Sequence, residues 1–510
     1  MGRADGAGAT PGADGAPGAG GAGAAGLAAL PLAEAARLAR TREVKARELV
    51  EACLERIAAD GAGAGAPGPG GGTLGAGAHG AWIELLADRA LARADALDAG
   101  PVTGPLHGVP FAVKDIFEIE GLHVTCGSSR EAGFARRPGR RTAPPVQALE
   151  EAGGILLGLL NMHEHAFGAT TSNPHHGQAR NPFDAGRVPG GSSGGSGIAP
   201  VLGHCFLALG TDTGGSVRLP ASWCGAAGLK VTSGAVSGEG CYPLSWTLDS
   251  VGPLARSVAD LAAAWPVLAA TGTGRGARIA RDPAAPTGIE GLRVGVVRGD
   301  LDDAGRIDPG VLAATRAAVA ALESAGARVR EVDLPGLPDA LAAQLTITLA
   351  ESATVHSGPE RRPERALAGA DVQRLLAMGD AVLAPDYLHA LRFRRRFIAG
   401  VARVFDDVDV ILSPTTPDLA EPVGAETVRW PDGSEESVLE ACIRYLVRWN
   451  MAGAPALSLP CGLAPAPGAT PGAGGLLPVG LQLAARPGGE KLLLAVGAEA
   501  EERFGWRWRP

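Results

Sequence analysis

Short, wholly apolar segments alternate with helical patterns along most of this chain, and this feature constrains the fold most strongly. Such a segment carries no polar alternation, which is typical of a strand buried on both faces. The pattern predicts an α/β protein, a single large domain with a central mixed, largely parallel β-sheet covered by helices on both faces. The strand candidates are 81–86, 111–113, 155–160, 205–209, 292–297, 408–412, 456–459 and 479–483, and helices are predicted over 32–58 (a pair), 309–325 and 387–404.

Glycine and proline are concentrated in three tracts. The chain has 76 glycines and 39 prolines, and the tracts 1–26, 61–80 and 464–475 hold few bulky side chains that could offset the entropy cost of ordering them. We therefore predict a disordered Gly/Ala-rich tail over 1–26 and flexible loops near 61–80 and 464–475. No break in composition divides the rest, so 27–510 is expected to be one domain.

Charge and cysteine usage exclude several classes of protein. Lysine and arginine number 46 against 54 aspartates and glutamates, a net charge of −8, so we expect no direct nucleic-acid partner. No apolar stretch approaches the roughly 20 residues that span a bilayer, and no export leader is visible, so no membrane association is expected. The seven cysteines stand singly without a C-x-x-C pair, which indicates reduced thiols and a cytoplasmic protein.

Two glycine-rich turns flank an apolar segment in the middle of the chain. The first is P-G-G-S-S-G-G-S-G over 189–197, and the second is G-T-D-T-G-G-S-V-R over 210–218. Linkers do not usually lie in the apolar middle of a domain, so the pair indicates backbone that closely approaches something small. A phosphate-binding loop fits weakly, because the Lys-Ser/Thr ending of such loops is missing.

Two further chemistries fit these turns. The first turn contains G-x-S-x-G over 190–194, which is typical of an α/β-hydrolase esterase; that class needs a later histidine, and His356 and His389 are available. The other chemistry uses no histidine. It requires a lysine, two serines and a loop that binds an oxyanion.

This last chemistry is that of the amidase signature hydrolases with their Ser-cisSer-Lys triad, which the sequence resembles over nearly all of the chain after the tail. Ser192 and Ser216 also stand at a spacing similar to that of the family. The matching stretches are G-P-L-H-G-V-P-F-A-V-K-D over 104–115, the Asn-Pro pairs at 173–174 and 181–182, both glycine-rich turns, 224–230, and N-M-A-G-A-P-A over 450–456.

Residue by residue, the resemblance implies a complete catalytic set. Ser216 corresponds to the nucleophile, Ser192 to the bridging serine after a cis peptide bond, and Lys114 to the buried base. A serine hydroxyl is a poor nucleophile until its proton is removed, and Ser192 would accept that proton while passing its own to Lys114. The backbone N–H groups of Thr213, Gly214, Gly215 and Ser216 are implied as the oxyanion-binding group.

Lys114 can act as a base only when it is neutral. Burial beside Val109, Phe111 and Val113 would lower its pKa, since desolvation penalises the charged form. The neighbouring Asp115 would oppose this shift, so its carboxylate is expected to point away or to be engaged elsewhere.

Two charged residues, Asp212 and Arg218, flank the serine of the second turn. Paired charges beside a tight turn commonly belong to the scaffold. We therefore expect an ion pair that fixes the loop rather than a contact with substrate.

The resemblance implies hydrolysis of a small-molecule carboxylic acid amide to an acid and ammonia or an amine, through an acyl-enzyme and without a cofactor. Homodimer formation is left open. A second reading is the glutaminase-like component of a tRNA-dependent amidotransferase, which delivers ammonia to a partner protein; an esterase is a lesser alternative. His163 and His165 form an H-x-H pair, but no further ligands can be placed beside them, so no metal is expected.

Overall fold

An 11-stranded mixed β-sheet forms the centre of the computed structural model. The structure describes residues 24–61, 78–131, 138–273, 276, 288–301, 305–358, 362–467 and 475–507, so most of the predicted tail (1–26) and of the predicted loops near 61–80 and 464–475 lie outside the described residues. The described strands are β1 (Trp82–Leu85), β2 (Pro110–Lys114), β3 (Ile155–Leu160), β4 (Ser172–Asn173), β5 (Gly177–Gln178), β6 (Leu207–Asp212), β7 (Ala227–Lys230), β8 (Ser250–Ala255), β9 (Arg293–Val297), β10 (Arg328–Val332), β11 (Val410–Pro414), β12 (Thr427–Arg429), β13 (Glu435–Ser437), β14 (Ala456–Pro465) and β15 (Leu476–Ala485).

The strand order of the central sheet is β1-β3-β2-β6-β8-β7-β14-β15-β11-β9-β10. Parallel pairing lies in two blocks, β3-β2-β6 and β11-β9-β10. Antiparallel pairs join the strands between the blocks, among them the sequential strands β14 and β15. The predicted single α/β domain with a mixed sheet is confirmed, and the expected parallel pairing is found within the two blocks.

Helices connect the strands and pack around the sheet. A 3₁₀ turn also follows β3, at Glu164–Ala166. The described α-helices are α1 (Ala24–Ala28), α2 (Leu32–Thr41), α3 (Ala46–Gly61), α4 (Ala87–Ala99), α5 (Pro144–Glu151), α6 (Gly194–Val201), α7 (Arg218–Cys224), α8 (Val258–Ala269), α9 (Pro309–Ser324), α10 (Leu337–Val355), α11 (Arg362–Arg365), α12 (Ala370–Asp380), α13 (Ala384–Asp407), α14 (Val438–Ile443), α15 (Val447–Ala452) and α16 (Glu490–Arg503).

The elements follow the sequence patterns closely. All eight apolar segments are strands of the central sheet, and the helix pair predicted over 32–58 is α2 and α3. Strands β7, β8 and β10 also belong to the sheet but were not predicted. Within the described ranges, no helix has both the length and the apolar character needed to cross a bilayer.

The parallel block β3-β2-β6 positions several of the predicted site residues. β2 and β6 are parallel neighbours in the sheet, so their carboxyl ends meet at the same edge, where open α/β sheets commonly bind ligands. Lys114 is the last residue of β2, and Thr211 and Asp212 end β6. Helix α6 begins at Gly194, inside the first glycine-rich turn, and Ser192 of that turn lies within hydrogen-bond distance of Lys114, so the turn lies at the same edge.

Candidate active site

Lys114 is buried completely at the end of β2. Its Nζ donates hydrogen bonds to Ser192 Oγ at 2.7 Å and to Thr211 Oγ1 at 2.8 Å. Burial lowers the pKa of Lys114 from 10.5 to about 7, although the charges of Asp249 and Asp212 act in the opposite direction. A substantial fraction of this amine is therefore neutral near pH 7.

The carboxylate of Asp115 is engaged away from the lysine, as expected. It accepts hydrogen bonds from the backbone N–H groups of Thr125 and Gly127, both at 3.1 Å, and from the Thr125 hydroxyl. Burial raises the pKa of Asp115 to about 7, against the effect of these hydrogen bonds. The side chain therefore holds the 125–127 turn in place and makes no ion pair with Lys114.

Ser192 follows a cis peptide bond, Gly191-Ser192, as the resemblance implied. Its carbonyl oxygen accepts a hydrogen bond from His163 N at 2.9 Å, and its side chain is fully buried beside Lys114. The neighbouring Ser193 turns elsewhere, because its hydroxyl donates to Thr211 O at 3.3 Å. Of the two adjacent serines, Ser192 alone contacts the lysine.

A buried ion pair stabilises the second glycine-rich turn. The guanidinium of Arg218 donates to both carboxylate oxygens of Asp212, at 2.9 and 3.0 Å, and both side chains are fully buried. Burial alone would raise the pKa of Asp212, but Arg218 and Asn450 hold it at about 2. The expectation that this pair is a scaffold for the loop is confirmed.

The same carboxylate fixes the backbone of the turn. Asp212 Oδ1 accepts the N–H of Gly215 at 2.8 Å, and its Oδ2 accepts that of Val217 at 3.2 Å. Gly215 has φ +125°, a conformation that favours glycine, and a Cβ there would overlap the Leu446 side chain. Among the described residues, no acceptor engages the N–H groups of Thr213, Gly214 or Ser216.

Ser216 is partly exposed and lines a cavity of about 50 Å³. The other three residues implied for oxyanion binding lie in the same wall, beside Gly191 of the cis peptide bond. No charged side chain appears in the described lining, which consists of Ala166, Phe167, Gly168, Ala169, Gly191, Thr213, Gly214, Gly215, Ser216, Leu244, Gln344, Leu345, Thr348, Leu439 and Ile443.

A second cavity, of about 310 Å³, lies against the first and shares Ala166, Thr213 and Leu244 with it. Its lining is more polar and includes Thr211 and Asp249. The Asp249 carboxylate accepts a 2.5 Å hydrogen bond from Thr213 Oγ1, and burial raises its pKa to about 6. The second glycine-rich turn thus borders both a mainly apolar cavity and a more polar one.

Three residues near the site were not singled out from the sequence. Thr211 lies inside the second glycine-rich turn, so its position two residues before Thr213 could have suggested a role at the strand end. Asp249 and Gln344 come from distant parts of the chain, at the loop before β8 and on α10. No local sequence signal links these two residues to Ser216.

The histidines required by the alternative chemistries lie elsewhere. His389 is exposed, and the ring of His356 packs 4.6 Å from that of His165, outside the described lining of the Ser216 cavity. His163 Nε2 lies 2.8 Å from Asp371 Oδ2. Within the described ranges, no group of three histidine, cysteine, aspartate or glutamate residues could hold a metal ion.

Comparison with known proteins gives a consistent result. The sequence profile of the family described as Amidase matches residues 76–494. An amidase from Pseudomonas putida is 37% identical over 499 residues, covering 93% of this chain and 96% of the relative. The A component of a glutamyl-tRNA(Gln) amidotransferase from Chloroflexus aggregans is 35% identical, covering 92% of this chain and 95% of the relative.

Solved structures show the same likeness in three dimensions. A crystal structure of an amidase superposes with a TM-score of 0.80 at 33% identity, covering 93% of this chain and 100% of the other. Sequence and fold therefore agree over the region that carries the glycine-rich turns, the buried lysine and the cavity. The chain belongs to the amidase signature family.

Proposed function

We propose that this protein is a stand-alone amidase that cleaves a neutral carboxylic acid amide through a serine acyl-enzyme. The observation that carries the proposal is the contact of Lys114 Nζ with Ser192 Oγ at 2.7 Å, made by a lysine with no solvent exposure. Its pKa of about 7 supports a role as base at neutral pH. Membership of the family supports Ser216 as the nucleophile.

In the first half of the reaction, Ser216 Oγ forms a bond to the amide carbonyl carbon. Its proton moves to Ser192 Oγ, and the Ser192 proton moves to neutral Lys114. The negative charge on the carbonyl oxygen is stabilised by the N–H groups of Thr213, Gly214 and Ser216, which have no acceptor among the described residues. Because the N–H of Gly215 is donated to Asp212, we assign Gly215 the shape of the loop rather than a donor role.

The intermediate then expels the amine. The C–N bond breaks, Ser192 protonates the leaving nitrogen, and Lys114 returns its proton to Ser192. Water then attacks the acyl carbon, and its proton passes to Ser192 while the Ser192 proton passes to Lys114. The ester bond to Ser216 breaks, Ser192 protonates Ser216 Oγ, and Lys114 returns its proton to Ser192 as the acid leaves. Thr211 accepts a hydrogen bond from Lys114, which leaves the lone pair of the amine free to face Ser192.

The lining of the Ser216 cavity supports a neutral substrate. Glutamine carries an ammonium and a carboxylate next to each other, and burying either ion without a partner is costly. The described lining offers Phe167, Leu244, Leu345, Leu439 and Ile443 but no charged side chain. This favours a simple amide over glutamine.

The glutaminase-like component of an amidotransferase is kept as the second candidate, because a relative at 35% identity bears that name. Glutaminase activity that depends on a co-purifying partner protein would support it. Activity of the isolated chain on simple amides, with none on glutamine, would support the stand-alone enzyme. Gel filtration of the same sample measures the oligomeric state and tests the homodimer.

The proposed compartment is the cytoplasm. None of the seven cysteines, all of which lie in the described ranges, forms a disulfide, and six of them are buried. Cysteines outside disulfides are typical of proteins in a reducing environment. Subcellular fractionation with an antibody against the chain tests the location.

The catalytic assignment is tested by covalent labelling. A fluorophosphonate should modify Ser216, as read by peptide mass spectrometry, and Ser216→Ala should abolish both labelling and turnover. Ser192→Ala should lower turnover strongly, because it interrupts proton transfer to Lys114. Labelling at Ser192 or Ser193 would contradict the assignment and favour the esterase instead.

A further inference from the structure

Gln344 is a polar side chain in an otherwise mainly apolar wall. It lies on α10, far from the catalytic turns in sequence, and is 3% exposed. It lines the cavity that contains Ser216. None of the sequence patterns described above includes this residue.

The NH₂ group of the Gln344 carboxamide is hydrogen-bonded within the protein, and its carbonyl oxygen is not. Gln344 Nε2 donates to Thr348 Oγ1 at 3.0 Å and to Thr213 O at 3.5 Å. The carbonyl of Thr213 can only accept, so these contacts fix the orientation of the amide and leave Oε1 as the free end. Among the described residues, Oε1 is buried and has no hydrogen-bond partner.

A buried acceptor without a partner costs free energy, so its presence in a binding cavity calls for a ligand that supplies a donor. The position of Gln344 indicates which group of the ligand supplies the donor. Its Nε2 lies 3.0 Å from the point that a Cβ on Gly214 would occupy, and Gly214 is two residues before Ser216. The carboxamide therefore lies beside the second glycine-rich turn, which in the proposed function binds the reacting group of the substrate.

We propose that Gln344 Oε1 accepts a hydrogen bond from the N–H of the scissile amide. This inference rests on the proposed function and narrows its substrate class. The enzyme acts on primary and secondary amides with a small apolar acyl group, because tertiary amides and esters lack the N–H donor. The small cavity, about 50 Å³, and its aliphatic walls set the size and character of the acyl group.

The test compares an amide with an ester of the same acyl group, in the wild type and in Gln344→Leu. Acetyl and butyryl p-nitroanilides serve as amides, and the matching p-nitrophenyl esters lack the N–H. We expect Gln344→Leu to lower kcat/KM for the anilides by about tenfold to a hundredfold and to change kcat/KM for the esters less than threefold, since a buried donor left unpaired costs about 1–3 kcal/mol.

One control separates recognition from a structural role. The rate of fluorophosphonate labelling at Ser216 requires no N–H donor and should be the same in the wild type and Gln344→Leu.

The outcomes distinguish this inference from the proposed function. An equal loss of kcat/KM for anilides and esters in Gln344→Leu would overturn the inference, because Gln344 would then act only by shaping the second glycine-rich turn. A wild-type enzyme that fails to be labelled at Ser216 and cleaves neither substrate would overturn the proposed function itself.

Discussion

Replacing Lys114 with methionine removes a titrating group from the active site while keeping a long apolar side chain of similar length. The pKa of Lys114 is lowered by burial to about 7, so about one tenth of the wild-type enzyme holds the neutral amine at pH 6 and about nine tenths at pH 8. We therefore expect kcat/KM to rise about tenfold between these pH values. Lys114→Met should lose both the rise and most of the rate.

The same pKa shift predicts how the free energy of unfolding changes with pH. Between about pH 7 and 10.5 the unfolded chain holds a proton on Lys114 that the folded chain lacks. Wild-type stability should therefore increase with pH in this window, by about 1.4 kcal/mol per unit and about 5 kcal/mol in all, relative to Lys114→Met. Burial of this lysine is thus most costly to the fold at or below neutral pH.

Two measurements check the reasoning. Initial rates from pH 5.5 to 9 give the kinetic profile, and urea unfolding of both proteins at pH 7 and 10 gives the difference in stability. Lys230 is also buried with a pKa lowered to about 7, but it is present in both proteins and cancels in the difference. Asp249→Asn removes a charge that raises the pKa of Lys114, so it should shift the rise in kcat/KM to lower pH.

Retention of the alkaline rise in Lys114→Met would show that another group is the base. Equal pH dependence of the stability of the two proteins would show that the lysine stays charged in the folded state. Either result would contradict the proton route through Ser192.

Three other perturbations follow from the geometry. Arg218→Met should lower the free energy of unfolding by roughly 3–5 kcal/mol in a urea titration, because it leaves the buried Asp212 charge without its partner; a change below about 1 kcal/mol would contradict the scaffold role. Gly215→Ala should lower kcat/KM by at least about tenfold, since φ is +125° and a Cβ would overlap Leu446; unchanged rates would show that the loop tolerates movement. Dialysis against EDTA should leave activity unchanged, and loss restored by a divalent cation would point to His163 and His165 instead.

The sequence was sufficient for the strands with a continuous apolar run and insufficient for those interrupted by charged residues, glycine or proline. β10 has the sequence Arg-Val-Arg-Glu-Val, mostly charged, and it is an edge strand that is mostly exposed. β8 is fully buried but contains Gly252 and Pro253, residues that usually end a strand. Neither pattern has the continuous apolar run from which the other strands were predicted.

The same limit applies to the site. Lys114, Ser192 and the second glycine-rich turn lie in stretches of unusual composition, so a resemblance could identify them. Asp249 and Gln344 contact Thr213 of the second glycine-rich turn only because the fold brings the loop before β8 and helix α10 to it, and no sequence motif marks either residue. Contacts of this kind depend on the assembled fold.

The guanidinium of Arg218 also joins parts of the chain that are synthesised far apart in time. Lys114, Ser192 and Ser216 all precede it in the chain, yet Arg218 donates to Leu446 O at 3.0 Å, to Asn450 Oδ1 at 2.7 Å and to Gln482 Oε1 at 2.6 Å. These partners lie 228, 232 and 264 residues after Arg218, so they are synthesised long after it. A nascent chain therefore carries Lys114, Ser192 and Ser216 well before the contacts that support the second glycine-rich turn can form, and we expect hydrolysis to begin only after α15 and β15 have packed against Arg218.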